Sequence, residues 1–128
     1  MYRAYGLLLS DTDFTLEAAA ARLTAKFPGC SVTRGGEQIT VSKGDWEIEL
    51  ALVSGPQVQG ESEGLAGNLA GLEPAEAAAI AACDRRVEVW SDTPDPSMEH
   101  FNEYLFVVEV LKSFRGVVVV DPREPALL

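Results

Sequence analysis

The chain has a single histidine, His100, and carboxylates surround it: Glu99 beside it, Glu103 three residues on, and Asp92 and Asp95 just before. Residues three or four apart share a helix face, so Glu99, His100 and Glu103 can converge. An oxygen-rich set with one imidazole suits a divalent cation or a general acid–base pair. The same residues serve equally as a solvated helix start, where carboxylates complement the positive end of the helix dipole. Any Ser–His–Asp or Cys–His arrangement would also have to use His100, and neither Cys30 nor Cys83 sits in a nucleophile's sequence context. The expectation is therefore no catalytic residue and no cofactor, with Glu99, His100 and Glu103 as the one set open to a metal.

A second grouping needs no reaction. Trp90, Asp92, Asp95, Glu99 and Asn102 flank the connection from a strand into a helix. An aromatic ring among carboxylates can grip a Lys or Arg side chain through cation–π contact and ion pairing. Glu47 and Glu49 share a strand face at i, i+2, roughly 7 Å apart. That separation is compatible with paired-carboxylate glycoside chemistry, but nothing else marks a sugar groove, and the pair is expected to extend the binding surface instead. The glycines at 60, 64, 67 and 71 resemble a phosphate loop only superficially: no Lys-Ser/Thr follows them, and Glu61 and Glu63 would repel phosphate. Arg85 and Arg86 read as partners for nearby acids.

Charge points the same way. Twenty acidic residues against ten basic ones give −10, with the excess spread over both halves of the chain. That field repels phosphate backbones, so nucleic acid is not an expected ligand. It favours fast, salt-sensitive association with a basic partner, and it also simply keeps a protein dispersed. Nothing in the sequence reaches the ~20 apolar residues of a membrane span, so no membrane association is expected. Asp11 and Asp13 follow Leu7–Leu9 at once, which argues against a secretory leader, and two widely spaced cysteines suit a reducing, cytoplasmic setting.

The elements that must position these groups follow from periodicity. Residues 2–9 form a strand with Tyr5, Leu7 and Leu9 on one side. Leu16, Ala20, Leu23 and Phe27 recur at helical spacing up to Pro28-Gly29. Residues 30–34 and 38–42 flank a Gly35-Gly36-Glu37 turn, and Lys43-Gly44-Asp45 leads into a strand over 46–53 with Trp46, Ile48, Leu50 and Leu52 on its inner side. Residues 54–72, rich in glycine, are expected to be a long loop. A short helix over 74–83 and a strand over 86–90 follow. Asp95 as N-cap and Pro96 at the first position start a long helix over 96–114, apolar around most of its circumference through Met98, Phe101, Leu105, Val108 and Leu111 together with Tyr104, Phe106, Val107, Val110 and Phe114. Gly116 ends it before the β-branched run 117–120, and 122–128 is a short tail.

One α+β domain over 1–128 results, in the order β-α-β-β-β-α-β-α-β: a mainly antiparallel sheet of five to six strands with the two longer helices on one face. The strand–helix–strand unit near the end is expected to add one parallel pair. The leading functional expectation is a non-enzymatic acidic domain that binds and neutralises a basic protein, in the manner of an inhibitor or immunity protein. The alternatives are a homo-oligomeric structural or regulatory subunit joined through the helix 96–114, with or without a small ligand, and a metal-dependent enzyme using Glu99, His100 and Glu103.

Overall fold

In the computed structural model, which describes residues 2–128, the chain forms β1 (Tyr2–Leu8), α1 (Leu16–Lys26), β2 (Ser31–Gly35), β3 (Gln38–Lys43), β4 (Trp46–Ser54), α2 (Pro56–Asn68), α3 (Pro74–Ala81), β5 (Arg85–Ser91), α4 (Phe101–Lys112), β6 (Val117–Asp121) and β7 (Ala126–Leu127). The strands make one seven-stranded sheet in the order β2-β3-β4-β5-β1-β6-β7. Every neighbouring pair is antiparallel. The α+β class and mainly antiparallel sheet are as the periodicity predicts. The expected parallel pair does not form, because β1 inserts between β5 and β6 and runs opposite to both. The 122–128 tail contributes β7 as a seventh strand, with Val120 opposite Leu127.

Strand alternation assigns each residue to a face. The first face carries Tyr2, Ala4, Leu8, Ile39, Val41, Trp46, Ile48, Leu50, Val87, Val89 and Val119, all buried in one core with α1 and α4. Thr15 caps α1 by accepting the amide of Ala18, and Leu16, Ala19 and Leu23 turn inward. From α4 the inward residues are Tyr104, Val107, Val108, Val110 and Leu111. The helix is shorter than 96–114 and begins after His100. Asp95 and Pro96 belong to the preceding loop, and Met98 there takes a left-handed φ of 55° that no helix accommodates. The apolar residues predicted for the helix over 96–114 are also not buried all round: Met98 is 57% exposed, Leu105 39% and Phe106 37%. The buried stripe runs through Tyr104, Val107, Val108 and Leu111, not through Met98 and Leu105.

The second face is covered over only part of its width. Leu7, Val120, Leu69, Ile80 and Cys83 make a smaller core under α2 and α3. Residues 54–72 therefore include a 13-residue helix in place of the expected loop. Val58, Ser62, Leu65 and Leu69 form a helical stripe whose apolar signal is diluted by a serine and by surrounding glycines. The Ser62 hydroxyl is buried and donates to the Val58 carbonyl at 2.9 Å. No residue on the second face of β2, β3 or β4 is buried. That half of the sheet is open.

Two glycines make opposite demands. A Cβ on Gly64 of α2 would meet nothing within 4 Å, whereas one on Gly116, at φ 69°, would lie 2.8 Å from the Thr12 Cα and 2.9 Å from its N. Gly64→Ala should raise stability by about 0.5–1 kcal/mol through helix propensity. Gly116→Ala should lower it by about 2–4 kcal/mol. Urea unfolding of the two variants checks the opposite signs.

Candidate functional site

The carboxylates singled out by the sequence gather at one end of the sheet, but on two different surfaces. Register places Glu49 opposite Trp90 and Trp90 opposite Arg3. Thr33 and Thr40 continue that row across β2 and β3. All of these side chains lie on the second face, and none of them is buried. The Glu49 carboxylate accepts from Thr40 Oγ1 at 2.6 Å and Gln38 Nε2 at 2.7 Å, which pins it beside the indole. Trp90 is half-buried, so part of its ring is available. Glu47 lies two residues along the same face, exposed, and Asp92 follows directly after β5, also exposed. The two are tied together through Ser91, whose hydroxyl donates to the Glu47 carbonyl at 2.6 Å.

Arg86 marks the boundary between covered and open halves. Its guanidinium is buried over the Tyr5 ring, 4.0 Å from the centroid. Nε and a terminal nitrogen both donate to Glu88 at 2.8 and 2.6 Å, and the second terminal nitrogen pairs with Glu61 of α2. Burial alone would lower its pKa, but the Glu88 and Glu61 carboxylates outweigh burial and raise it. The same ion pair lowers the pKa of Glu61. Arg86 is thus the acid partner that the sequence suggests.

The other sequence-chosen residues lie elsewhere. Asp95 is buried at 6% exposure and does not reach the open face. It accepts from the Tyr2 hydroxyl at 2.6 Å, from the Glu99 amide at 3.0 Å and from the His100 amide at 2.9 Å. This carboxylate is a clamp that ties the 93–100 loop to β1. Asn102 is exposed on α4 and joins neither surface.

Between the clamped loop and the β3–β4 turn runs a cleft of about 490 Å³, lined by Lys43, Asp45, Trp46, Thr93, Ser97, Glu99 and His100 among others. Its lining includes an aromatic pair: the His100 imidazole stacks on the Trp46 indole, centroids 4.7 Å apart and planes at 10°. Glu103 turns toward Lys43 Nζ at 3.1 Å, and His100 Nδ1 lies 3.7 Å from the same carboxylate oxygen. Burial tends to raise the pKa of Glu103, but Lys43 outweighs it and holds the carboxyl low. His100 and Glu103 do converge, while the exposed Glu99 carboxylate stays apart. Among the described residues no three His, Cys, Asp or Glu side chains are arranged to hold a metal ion. Among the described residues, the indole nitrogen of Trp46 and Nδ1 of His100 are buried without a hydrogen-bond partner.

Sequence reasoning passed over Trp46, Lys43 and Asp45 as strand and turn residues. Their nearness to His100 depends on β4 lying next to β5, which no local pattern encodes. The Lys43-Gly44-Asp45 turn was the one available signal. Arg3 escaped for the same reason, since only register brings it beside Trp90. Among the described residues, no helix is long and apolar enough to cross a membrane.

The Asp95 clamp makes stability sensitive at both ends of the pH scale. Burial would raise the Asp95 pKa, but the Tyr2 hydroxyl and the two amides outweigh burial and lower it from 3.8. A depressed native pKa stabilises the fold above the unfolded value and loses that contribution as pH falls through the native one. Burial first, and Asp95 second, push the Tyr2 phenol from 10.0 up to about 12. A raised pKa stabilises fully below 10.0 and is lost as pH climbs toward about 12. Urea midpoints measured across pH should therefore fall in acid below pH 4 and in alkali above pH 10. Tyr2→Phe, which keeps the ring stacked on Tyr104 at 5.1 Å, should remove Tyr2's part of the alkaline fall.

Comparison with protein-family models, with curated proteins and with solved structures finds no match to this chain.

Proposed function

We propose that this chain is a protein-binding domain that receives a basic partner on the open half of its sheet. The observation carrying this reading is the cross-strand row in which the half-buried Trp90 lies between Glu49 and Arg3, with Glu47 and Asp92 at the same end of the sheet. A sheet face normally buries its apolar and aromatic groups under a second layer. Here a tryptophan stands where no helix covers it, ringed by side chains that are hydrogen-bonded, charged or both. Trp is the residue most enriched where binding energy concentrates. The carboxylate held by Thr40 and Gln38 is preorganised, so little side-chain entropy is lost when a cation meets it. The net charge of −10 supplies long-range attraction for a basic surface. In this reading the partner presents a Lys or Arg to the indole and Glu49, with further cations near Glu47 and Asp92, and the result is occupation of the partner's basic surface without any reaction on it.

The test is paired affinity capture from the native lysate, comparing wild type with an E47K/D92K variant and with Trp90→Ala. A single basic protein should be retained by wild type at stoichiometric level and released by salt. Its association rate should drop steeply with ionic strength, and the charge-reversed variant should lose most of that rate. Trp90→Ala should weaken affinity by about thirtyfold or more through faster dissociation, the size of an interface hot spot. A partner that binds wild type and both variants alike would show that this face is not the binding surface.

A further inference from the structure

We infer that α2 is a releasable cover, a helix built to open by itself between Gly55 and Gly71 while the sheet beneath it stays folded. The inference does not depend on what binds the open half of the second face.

Three glycines carry it. Gly60, Gly64 and Gly67 lie within the thirteen residues of α2. Glycine inside a helix has two ordinary structural reasons, a left-handed φ or a neighbour too close for a Cβ. Neither holds here. None of the three has a left-handed φ, and a Cβ on any of them would meet nothing within 4 Å. Their remaining physical effect is on helix stability, where each glycine lowers the helical population about fivefold relative to alanine.

The helix has little to offset that loss. Its N-cap, Gly55, offers no side chain to the first-turn amides, no acid lies in the first turn and no base in the last. The other helices on either side of it in the chain are capped: Thr15 accepts the Ala18 amide of α1, and Glu76 of α3 accepts the Glu73 amide. Short helices owe most of their stability to the face they bury. In α2 only Val58 and Ser62 are buried, and the Ser62 hydroxyl bonds back to the helix's own Val58 carbonyl. Leu65 and Ala66 are partly buried against the second core.

The ion pair from Glu61 to Arg86 is the latch between α2 and the sheet. Arg86 is also bonded twice by Glu88 of its own strand, so the guanidinium keeps a carboxylate when Glu61 leaves. Opening thus avoids leaving a buried charge alone, the outcome that makes such pairs costly to break. Hinges stand at both ends, Gly55 at φ 133° and Gly71 at φ 77°, each with open space around it. Opening uncovers Arg86 and the Tyr5 ring on which it lies. Arg86, Glu88 and Trp90 follow one another along one face of β5, so the uncovered strip joins the open half of the sheet.

Native-state hydrogen exchange on the ¹⁵N-labelled full-length protein, over a series of low urea concentrations, tests the cover. Relative to their unstructured rates, the amides of residues 60–68 should exchange at least about a hundredfold faster than those of β1 and β5, with a shallower dependence on urea. Replacing Gly60, Gly64 and Gly67 together by alanine should slow the α2 amides by about tenfold to a hundredfold. Glu61→Gln should speed them by about threefold to tenfold. A Glu-specific protease gives an independent measure, since Glu61 and Glu63 lie inside α2: native-state cleavage after Glu61 and Glu63 should slow in the alanine variant by the same factor as exchange. If the α2 amides exchange at the rate of the strands and with the same urea dependence, α2 opens only when the whole chain unfolds, and the cover is overturned. Wild-type exchange of α2 in the alanine variant would overturn the part given to the glycines. Unchanged exchange in Glu61→Gln would overturn the ion pair as the latch.

Discussion

The arrangement depends on β1 being hydrogen-bonded on both sides. Among the described residues it is the only strand linking β5 and β6, so the seven-stranded sheet exists as one body through it. Gly6 shows how closely the layers meet there: a Cβ would lie 3.3 Å from Val117 Cγ1 and 3.5 Å from Leu111 Cδ1, so α4 packs almost onto the strand backbone. Tyr2, at the other end of β1, stacks on Tyr104 and donates to Asp95, and the Tyr104 hydroxyl donates back to the Arg3 carbonyl. The strand therefore organises the core, the seating of α4 and the loop that shapes the cleft. An early, local segment of chain has its consequences entirely at long range.

Asymmetric coverage then creates the surface on which the function is proposed. The first face is sealed by α1 and α4 along its width. On the second face α2 and α3 reach only as far as Arg86, a buried cation that stays charged because Glu61 comes from the helix and Glu88 from its own strand. A buried ion pair of this kind adds little net stability, since desolvation offsets most of the attraction, but it is costly to break. Its effect here is positional: it sets where α2 sits, and so where helix coverage stops. Beyond it the strands show Thr, Gln, Glu and one Trp to solvent.

Much of the architecture was legible locally. Period-two alternation in 46–53 gave the inner row Trp46, Ile48 and Leu50 and left Glu47 and Glu49 outside, as the burial shows. Turn glycines placed the two hairpins, and the run 117–120 marked a strand with neighbours on both faces. Where the reading failed, the cause was physical. In α2, glycine and serine at helical positions hide a stripe that becomes apolar only against the second sheet face. At 96–100 a good cap and proline describe a helix start equally well, but the Asp95 carboxylate is drawn to Tyr2 and the chain turns once more before α4 begins.

By itself, then, the sequence determined the α+β class, most strand spans, the inward and outward sets of residues and the acidic balance, because each depends on neighbours a few positions away. Only the tertiary structure decided which carboxylates share a surface. Asp95 and Glu99 stand one turn from each other in the chain, yet one is a buried clamp and the other a free group at a cleft. Glu49, Trp90 and Arg3 are far apart in sequence and adjacent in space. Register and strand order have no local signature, since they follow from the whole sheet burying its apolar faces at once.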